Sequence, residues 1–244
     1  MPQHSDQQSG APPQDGQRAI RALAVISNQA RSMLHFRGPL IKALIACGVQ
    51  VYALAPDHDA ISRAEVEALG AVPIDYRLDR TGMHPVRDLM DMLYLSRLLR
   101  RLNVDASFGY FIKPVIYGSL AAWLAGVPHR FALIAGLGYV FTDDGTPPAL
   151  KKRLLKMIVS LMYQFALQRC TQVFFQNDDD LDHFTRAGHL PRGAGLNVHG
   201  TGVDLDYYAH VPPPSGDGPP VFLLVARLLR EKGVCEFAEA ARLI

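Results

Sequence analysis

An α/β fold, a parallel sheet covered on both faces by helices, is predicted by three features of the sequence. Short runs rich in aliphatic and β-branched residues alternate with longer stretches of helical periodicity. Runs such as Ala22–Ile26 (ALAVI) and residues 173–175 (VFF) are apolar throughout, as strands buried on both faces must be. The segments between runs are long enough for crossover helices, which parallel strands require.

Taken in order, residues 1–18 are polar and rich in Pro, Gln and Gly, which predicts a disordered tail without the apolar stretch of a secretory signal. Ala22–Ile26 is the first strand. Residues 36–47 predict a helix ended by Gly48, 49–53 a second strand closed by Pro56, and 60–69 a helix ended by Gly70. A third strand is expected over 71–74. In Pro85–Leu102, Val86, Leu89, Met90, Leu93, Leu98 and Leu102 keep helical spacing. Residues 104–108 predict a fourth strand and 114–125 a helix ended by Gly126. Strands follow at 131–134, Gln172–Phe175 and 196–199, with helices over 149–168 and 181–187.

Together, residues 19–210 predict one Rossmann-like domain. Residues 211–220 (VPPPSGDGPP) lose all hydrophobic periodicity and read as an interdomain linker. Beyond it, 221–226 (VFLLVA) predict a strand and 234–244 an amphipathic helix. One strand and one helix cannot bury a core of their own. Residues 221–244 are therefore expected to open a second Rossmann-like domain that the chain does not complete.

Composition narrows the function. Apolar residues make up 49% of the chain and charged residues 20%, a globular profile. With 25 basic against 23 acidic residues the net charge is +2, which gives no reason to expect a nucleic-acid partner. Cys47, Cys170 and Cys235 are widely spaced and show neither a disulfide framework nor metal-ligand spacing, which fits a reducing cytoplasm. No run reaches the length of a membrane span. The helix over 148–169 opens with Lys151, Lys152, Arg153 and Lys156 and then turns apolar. That pattern suits peripheral contact with an anionic membrane, and equally a core helix with a solvated basic end.

Ligands of parallel sheets bind at the carboxyl ends of the strands. The sharpest candidate there is 225–233 (VARLLREKG), where Arg227 and Lys232 precede Gly233 and a helix start. A guanidinium fork, an ammonium and oriented backbone N–H groups suit a diphosphate, although an ordinary basic loop would look the same. Asp178, Asp179 and Asp180 read as acids in the first turn of a helix capped by Asn177 rather than as a metal site. His129 is as readily structural as catalytic, and no general base is assigned.

These segments resemble, in order, the GT-B glycosyltransferases of family 4. The 225–233 stretch is similar to the family's G-R-L-x-x-x-K-G donor-domain motif, with Ala226 in place of the first Gly. Residues 200–208 (GTGVDLDYY) resemble the N-G-V-D-x-x-x-F segment that leads to the domain crossover. Residues 113–127 (KPVIYGSLAAWLAGV) resemble the K-P-x-x-Y-G helix of relatives acting on lipid-linked sugars, and 136–142 (GLGYVFT) the loop beside it. The resemblance implies a transferase, generally retaining, that takes a nucleotide diphosphate sugar as co-substrate and needs no metal or other cofactor. Arg227 and Lys232 would grip the donor diphosphate and stabilise the charge on the leaving phosphate, with Gly202 and Gly233 beside the donor. The acceptor, a saccharide in the style of a polyprenyl-diphosphate-linked glycan, would meet His35, Arg37 and Gly38 on a loop over 28–38. It would also meet Lys113, Tyr117, Gly136 and Gly138. Each has a plainer reading: a helix entry with Arg37 solvated, a surface Lys113, a core Tyr117 and simple turns at the glycines. Glu231 and Glu239 match the family's Glu-x7-Glu spacing, but on the wrong helix. A sugar-nucleotide epimerase of the same fold, or a non-catalytic glycan-binding module, are the competing functions.

Overall fold

A computed structural model describes residues 19–80, 84–136, 150–205, 208–212 and 218–243. The predicted tail over 1–18 and half of the linker, residues 213–217, therefore lie outside the described residues.

Seven parallel strands form one sheet. They are β1 (Ala22–Ile26), β2 (Gln50–Ala55), β3 (Val72–Asp75), β4 (Ala106–Tyr110), β5 (His129–Ile134), β6 (Gln172–Phe175) and β7 (Gly195–Asn197). Their spatial order is β3-β2-β1-β4-β5-β6-β7, so the winding reverses between β1 and β4. Pairing is in register from Leu23 opposite Ala106 to Ile26 opposite Gly109, which brings the ends of β1 and β4 together at this switch point. Helices α1 (Ala30–Ala46), α2 (Ala60–Ala68), α3 (Pro85–Leu102), α4 (Ser119–Ala125), α5 (Leu150–Leu167) and α6 (Asp178–Arg186) fill the connections.

Side chains alternate across each strand, so the two faces draw on different residues. Leu23 and Val25 of β1 pack with Met33 and Ile41 of α1 and Val66 of α2. Ala24 and Ile26 face the opposite way, onto Met92, Leu95 and Leu99 of α3 and Ala121 and Ala122 of α4. Farther along that second face, Ala132 and Ile134 meet Val159, Tyr163 and Ala166 of α5 and Phe184 of α6.

The helix ends explain where the sequence reading succeeded. Pro85 occupies the first turn of α3, where its missing N–H costs nothing, and Asn103 closes the helix at φ 50. Asp59 and Ser62 form a reciprocal capping box at α2. Asn177 caps α6, its side chain accepting the Asp180 N–H at 2.8 Å, while Asp178 accepts a hydrogen bond from Asn197. The three aspartates thus stand in the first turn, favoured by the helix dipole.

Two expectations are corrected. The loop expected over 28–38 is helical from Ala30 onward, and Pro39 sits inside α1 rather than near its start. The cap comes from a distant residue: Asp57, after β2, accepts the Ala30 N–H at 2.8 Å. Residues 221–226 form no strand; Val221, Leu223 and Val225 are exposed and have no ladder partner among the described residues. A strand is stable only against a neighbour that satisfies its backbone. The predicted helix nearby does form, as α7 (Val234–Leu243).

His189 gives the domain an acid-sensitive point. It is 4% exposed, its Nε2 lies 2.7 Å from the Ser160 hydroxyl, and Nδ1 has no partner. Burial, and then the neighbouring His183, lower its pKa below the ordinary 6.5. The folded state thus resists protonation while the unfolded chain accepts it. Its contribution to stability is full above 6.5 and is lost as pH falls through the lowered value. Urea midpoints should drop between about pH 7.5 and about pH 5.5, and His189→Gln should flatten that dependence.

Candidate functional site

The carboxyl ends of β1 and β4 hold the most unusual backbone in the domain. Phe111, directly after β4, takes φ 69, a left-handed conformation rare for an aromatic residue. A π-helical turn, Pro114–Gly118, then leads into α4. Both features recur at functional sites because local strain persists only where surrounding packing holds it. Gly109 allows the tight return: a Cβ there would stand 2.8 Å from the Pro114 carbonyl oxygen.

On the α3 side of this edge, Asp88 is 4% exposed and accepts two hydrogen bonds. One comes from the Lys113 ammonium at 3.0 Å and one from the Tyr117 hydroxyl at 3.2 Å. Burial, followed by the adjacent Asp88 carboxylate, pushes the Tyr117 phenol up to about 12, so it stays a donor at neutral pH. Tyr76, Arg77, Asp91 and Met92 line the same small crevice. Lys113 is therefore a half-buried, ion-paired side chain, neither a surface lysine nor a free cation.

On the α1 side, His35 is exposed and Gly38 is buried in the helix. Arg37, expected to be solvated if it had no role, is instead 6% exposed, with its guanidinium 4.7 Å from the Tyr110 ring centroid. Tyr76 donates from its hydroxyl to the Ser27 carbonyl at 2.8 Å and ties β3's exit to β1's. Beside it, an open depression of about 660 Å³ is lined by Pro56, Asp57, Leu78, Asp79, Arg80 and Arg87.

The other candidates are more dispersed. Gly136 follows β5 at φ 121 and is exposed, while Gly138 lies outside the described residues. Gly202 is exposed at φ 69. Arg227 and Lys232 are exposed, and their side chains make no hydrogen bond or ion pair with a described residue. A short 3-10 turn, Arg230–Lys232, and Gly233 at φ 74 deliver the chain to α7. Glu239 is exposed on α7, as a solvated helix charge would be. His129 opens β5 at the amino edge of the sheet, stacked on Phe131, far from the carboxyl ends in strand terms.

Sequence reasoning missed Asp88, Tyr110 and Ser32. Asp88 looks like an ordinary first-turn acid of α3, and Tyr110 like a strand residue. Only the placement of α3 and α1 over the ends of β4 and β1 reveals them.

The pattern defining the Glycosyl transferase 4-like domain matches residues 36–196. The chain is 28% identical over 233 residues to N,N'-diacetylbacillosaminyl-diphospho-undecaprenol alpha-1,3-N-acetylgalactosaminyltransferase of Campylobacter jejuni, covering 91% of this chain and 60% of that protein. It is 25% identical over 171 residues to UDP-Gal:alpha-D-GlcNAc-diphosphoundecaprenol alpha-1,3-galactosyltransferase of Escherichia coli, covering 65% and 41%. The chain thus spans 60% or less of the length of these relatives. Among solved structures, the S. aureus MnaA-UDP co-structure superposes with a TM-score of 0.53 at 13% identity, over 82% of this chain and 49% of that one. At that identity the likeness bears on the fold alone.

Proposed function

Because the chain belongs to the glycosyl transferase 4-like family, we propose that the whole protein transfers a hexosyl or N-acetylhexosaminyl group from a nucleotide diphosphate sugar to a saccharide carried on polyprenyl diphosphate. The observation that carries this reading is the switch-point edge between β1 and β4. It gathers the family-motif residues Lys113 and Tyr117, the strained Phe111 and the buried Arg37 where parallel sheets take their ligands. Both curated relatives named above act on diphospho-undecaprenol saccharides, which supports the acceptor class.

In the proposed reaction, the bond from the sugar's anomeric carbon to the donor phosphate breaks, and an acceptor hydroxyl forms the new glycosidic bond. The hydroxyl proton passes to a departing phosphate oxygen, so no carboxylate base is required. Arg227 and Lys232 take up the negative charge that grows on the leaving diphosphate, which makes a metal unnecessary for that step. The test is to incubate the whole protein with a panel of nucleotide sugars and a short polyprenyl-diphosphate disaccharide, then weigh the lipid product. A mass gain of one hexose or N-acetylhexosamine is expected. Isomerised sugar nucleotide without acceptor would favour the epimerase; no turnover at all would favour the binding module.

The same acceptor would place the protein at a membrane surface. No helix among the described residues is long and apolar enough to cross one. Instead, α5 exposes Leu150, Leu154, Met157, Ile158, Leu161 and Phe165 along one side, and carries no acidic residue. Exposed Arg153 and Lys156 lie in its first turns. Such a face suits the interface of an anionic bilayer, where each basic residue contributes about 1 kcal/mol. Replacing Lys151, Lys152, Arg153 and Lys156 by glutamine should abolish liposome co-sedimentation at low salt. Unchanged binding would remove α5 from the contact.

A further inference from the structure

Among the buried charged side chains of the described residues, Arg37 is the one left with neither an ion-pair partner nor a side-chain hydrogen-bond partner. Asp88 has Lys113 and Tyr117, Asp91 has Arg87, and Asp180 has Asn177. Arg37 is 6% exposed, yet among the described residues its only hydrogen bond is from Nη1 to the Phe36 carbonyl at 3.1 Å, and its Nε has none there. It does not stand alone. The Tyr110 hydroxyl and the Ser32 hydroxyl, on residues 0% and 7% exposed, are also without partners. Ser27 and Ser32 lie beside the Tyr110 phenol without closing a well-formed bond to it. Three unmet polar groups in one place are costly, and a native fold keeps such a cluster where something else satisfies it.

The chemistry of that something can be read from the cluster. Arginine offers only donors, and the serine and tyrosine hydroxyls are free to donate. A single positive charge accompanies them. The cluster sits at the reversal of strand order, beneath the first two turns of α1. We propose that Ser32, Arg37 and Tyr110 form a subsite for one phosphoryl group of a diphosphate. This deepens, and rests on, the reading of the edge as a sugar-transfer site. It also separates two roles. Lys113 is neutralised by Asp88, so its crevice suits uncharged sugar hydroxyls, whereas Arg37 is the cation left for phosphate. A diphosphate can arrive on the polyprenyl acceptor or on the nucleotide donor.

The 244-residue chain can be titrated by calorimetry with geranyl diphosphate and, separately, with UDP. Binding of either that persists when Arg227 and Lys232 are both replaced by alanine supports the subsite, and the tighter of the two identifies its source. Arg37→Lys, which loses the planar fork, and Ser32→Ala should each weaken that ligand at least about tenfold. Tyr110→Phe keeps the ring packing, so it tests the hydroxyl even if an Arg37 variant fails to fold. No diphosphate binding by the parent chain, or binding untouched by Ser32→Ala and Tyr110→Phe, would overturn the proposal. Sugar transfer by the whole protein that ignores these substitutions would sink the subsite and leave the transferase standing. Intact diphosphate binding without transfer would do the reverse.

Discussion

Replacing Arg227 and Lys232 together by alanine in the whole protein is expected to lower turnover at least about a hundredfold, or about 2.7 kcal/mol of transition-state stabilisation. Both side chains are exposed and bound to no described partner, so their donors are uncommitted. The tight turn at 230–232 and Gly233 at φ 74 set them just before α7, whose first N–H groups are also unpaired with helix carbonyls. A leaving diphosphate gains negative charge as the sugar bond breaks, so preorganised cations stabilise that moment more than the ground state. The loss should therefore fall mainly on kcat, with a smaller rise in KM for the donor. Lys232→Arg should recover part of the activity, since it restores the charge with different geometry. Near-normal turnover of the double variant would take both residues out of the mechanism.

Asp88→Ala should destabilise the domain by about 3 kcal/mol, the order found when one partner of a buried pair is removed. Asp88 is 4% exposed and the Lys113 side chain 15%, so little solvent is at hand to replace the lost contact. The variant would leave a half-buried ammonium without its carboxylate and the Tyr117 hydroxyl without its acceptor. Asp88→Ala combined with Lys113→Met should cost clearly less than the sum of the two single changes, because the second removes the stranded charge. Additive losses in urea midpoints would show that the pair is not coupled. The cycle also has a functional reading, since Asp88 ties α3 to the π-helical turn that carries Tyr117.

What could be read in advance followed the kind of signal. α3 was placed at both ends because Pro85 and the apolar spacing are local properties of its own residues. α6 was recognised with its Asn177 cap for the same reason, although its body begins three residues before the first apolar position. The start of α1 was set six residues too late. Its cap is Asp57, separated by 27 positions in the chain, and no local signal marks Ala30 as the start. The apolar run over 221–226 has the composition of a strand but no neighbour to pair with among the described residues. Composition alone could not supply one.

The candidate site divides in the same way. Lys113 and Tyr117 were legible as a motif, but their shared partner Asp88 was not, since it lies 25 and 29 residues away on another element. Arg37 was legible as a cation near a strand end, and its burial against Tyr110 was not.

By itself, the sequence determined the alternation of strands and helices, the apolar character that makes the sheet parallel and doubly covered, and the order of the family motifs. Tertiary structure alone decided which charges are neutralised and which are left open, where α1 begins, and that the switch point falls between β1 and β4. The physical reason is range. Periodicity, propensity and local capping act within a few residues, whereas burial, ion pairing and strand order depend on segments that meet only after the chain has folded.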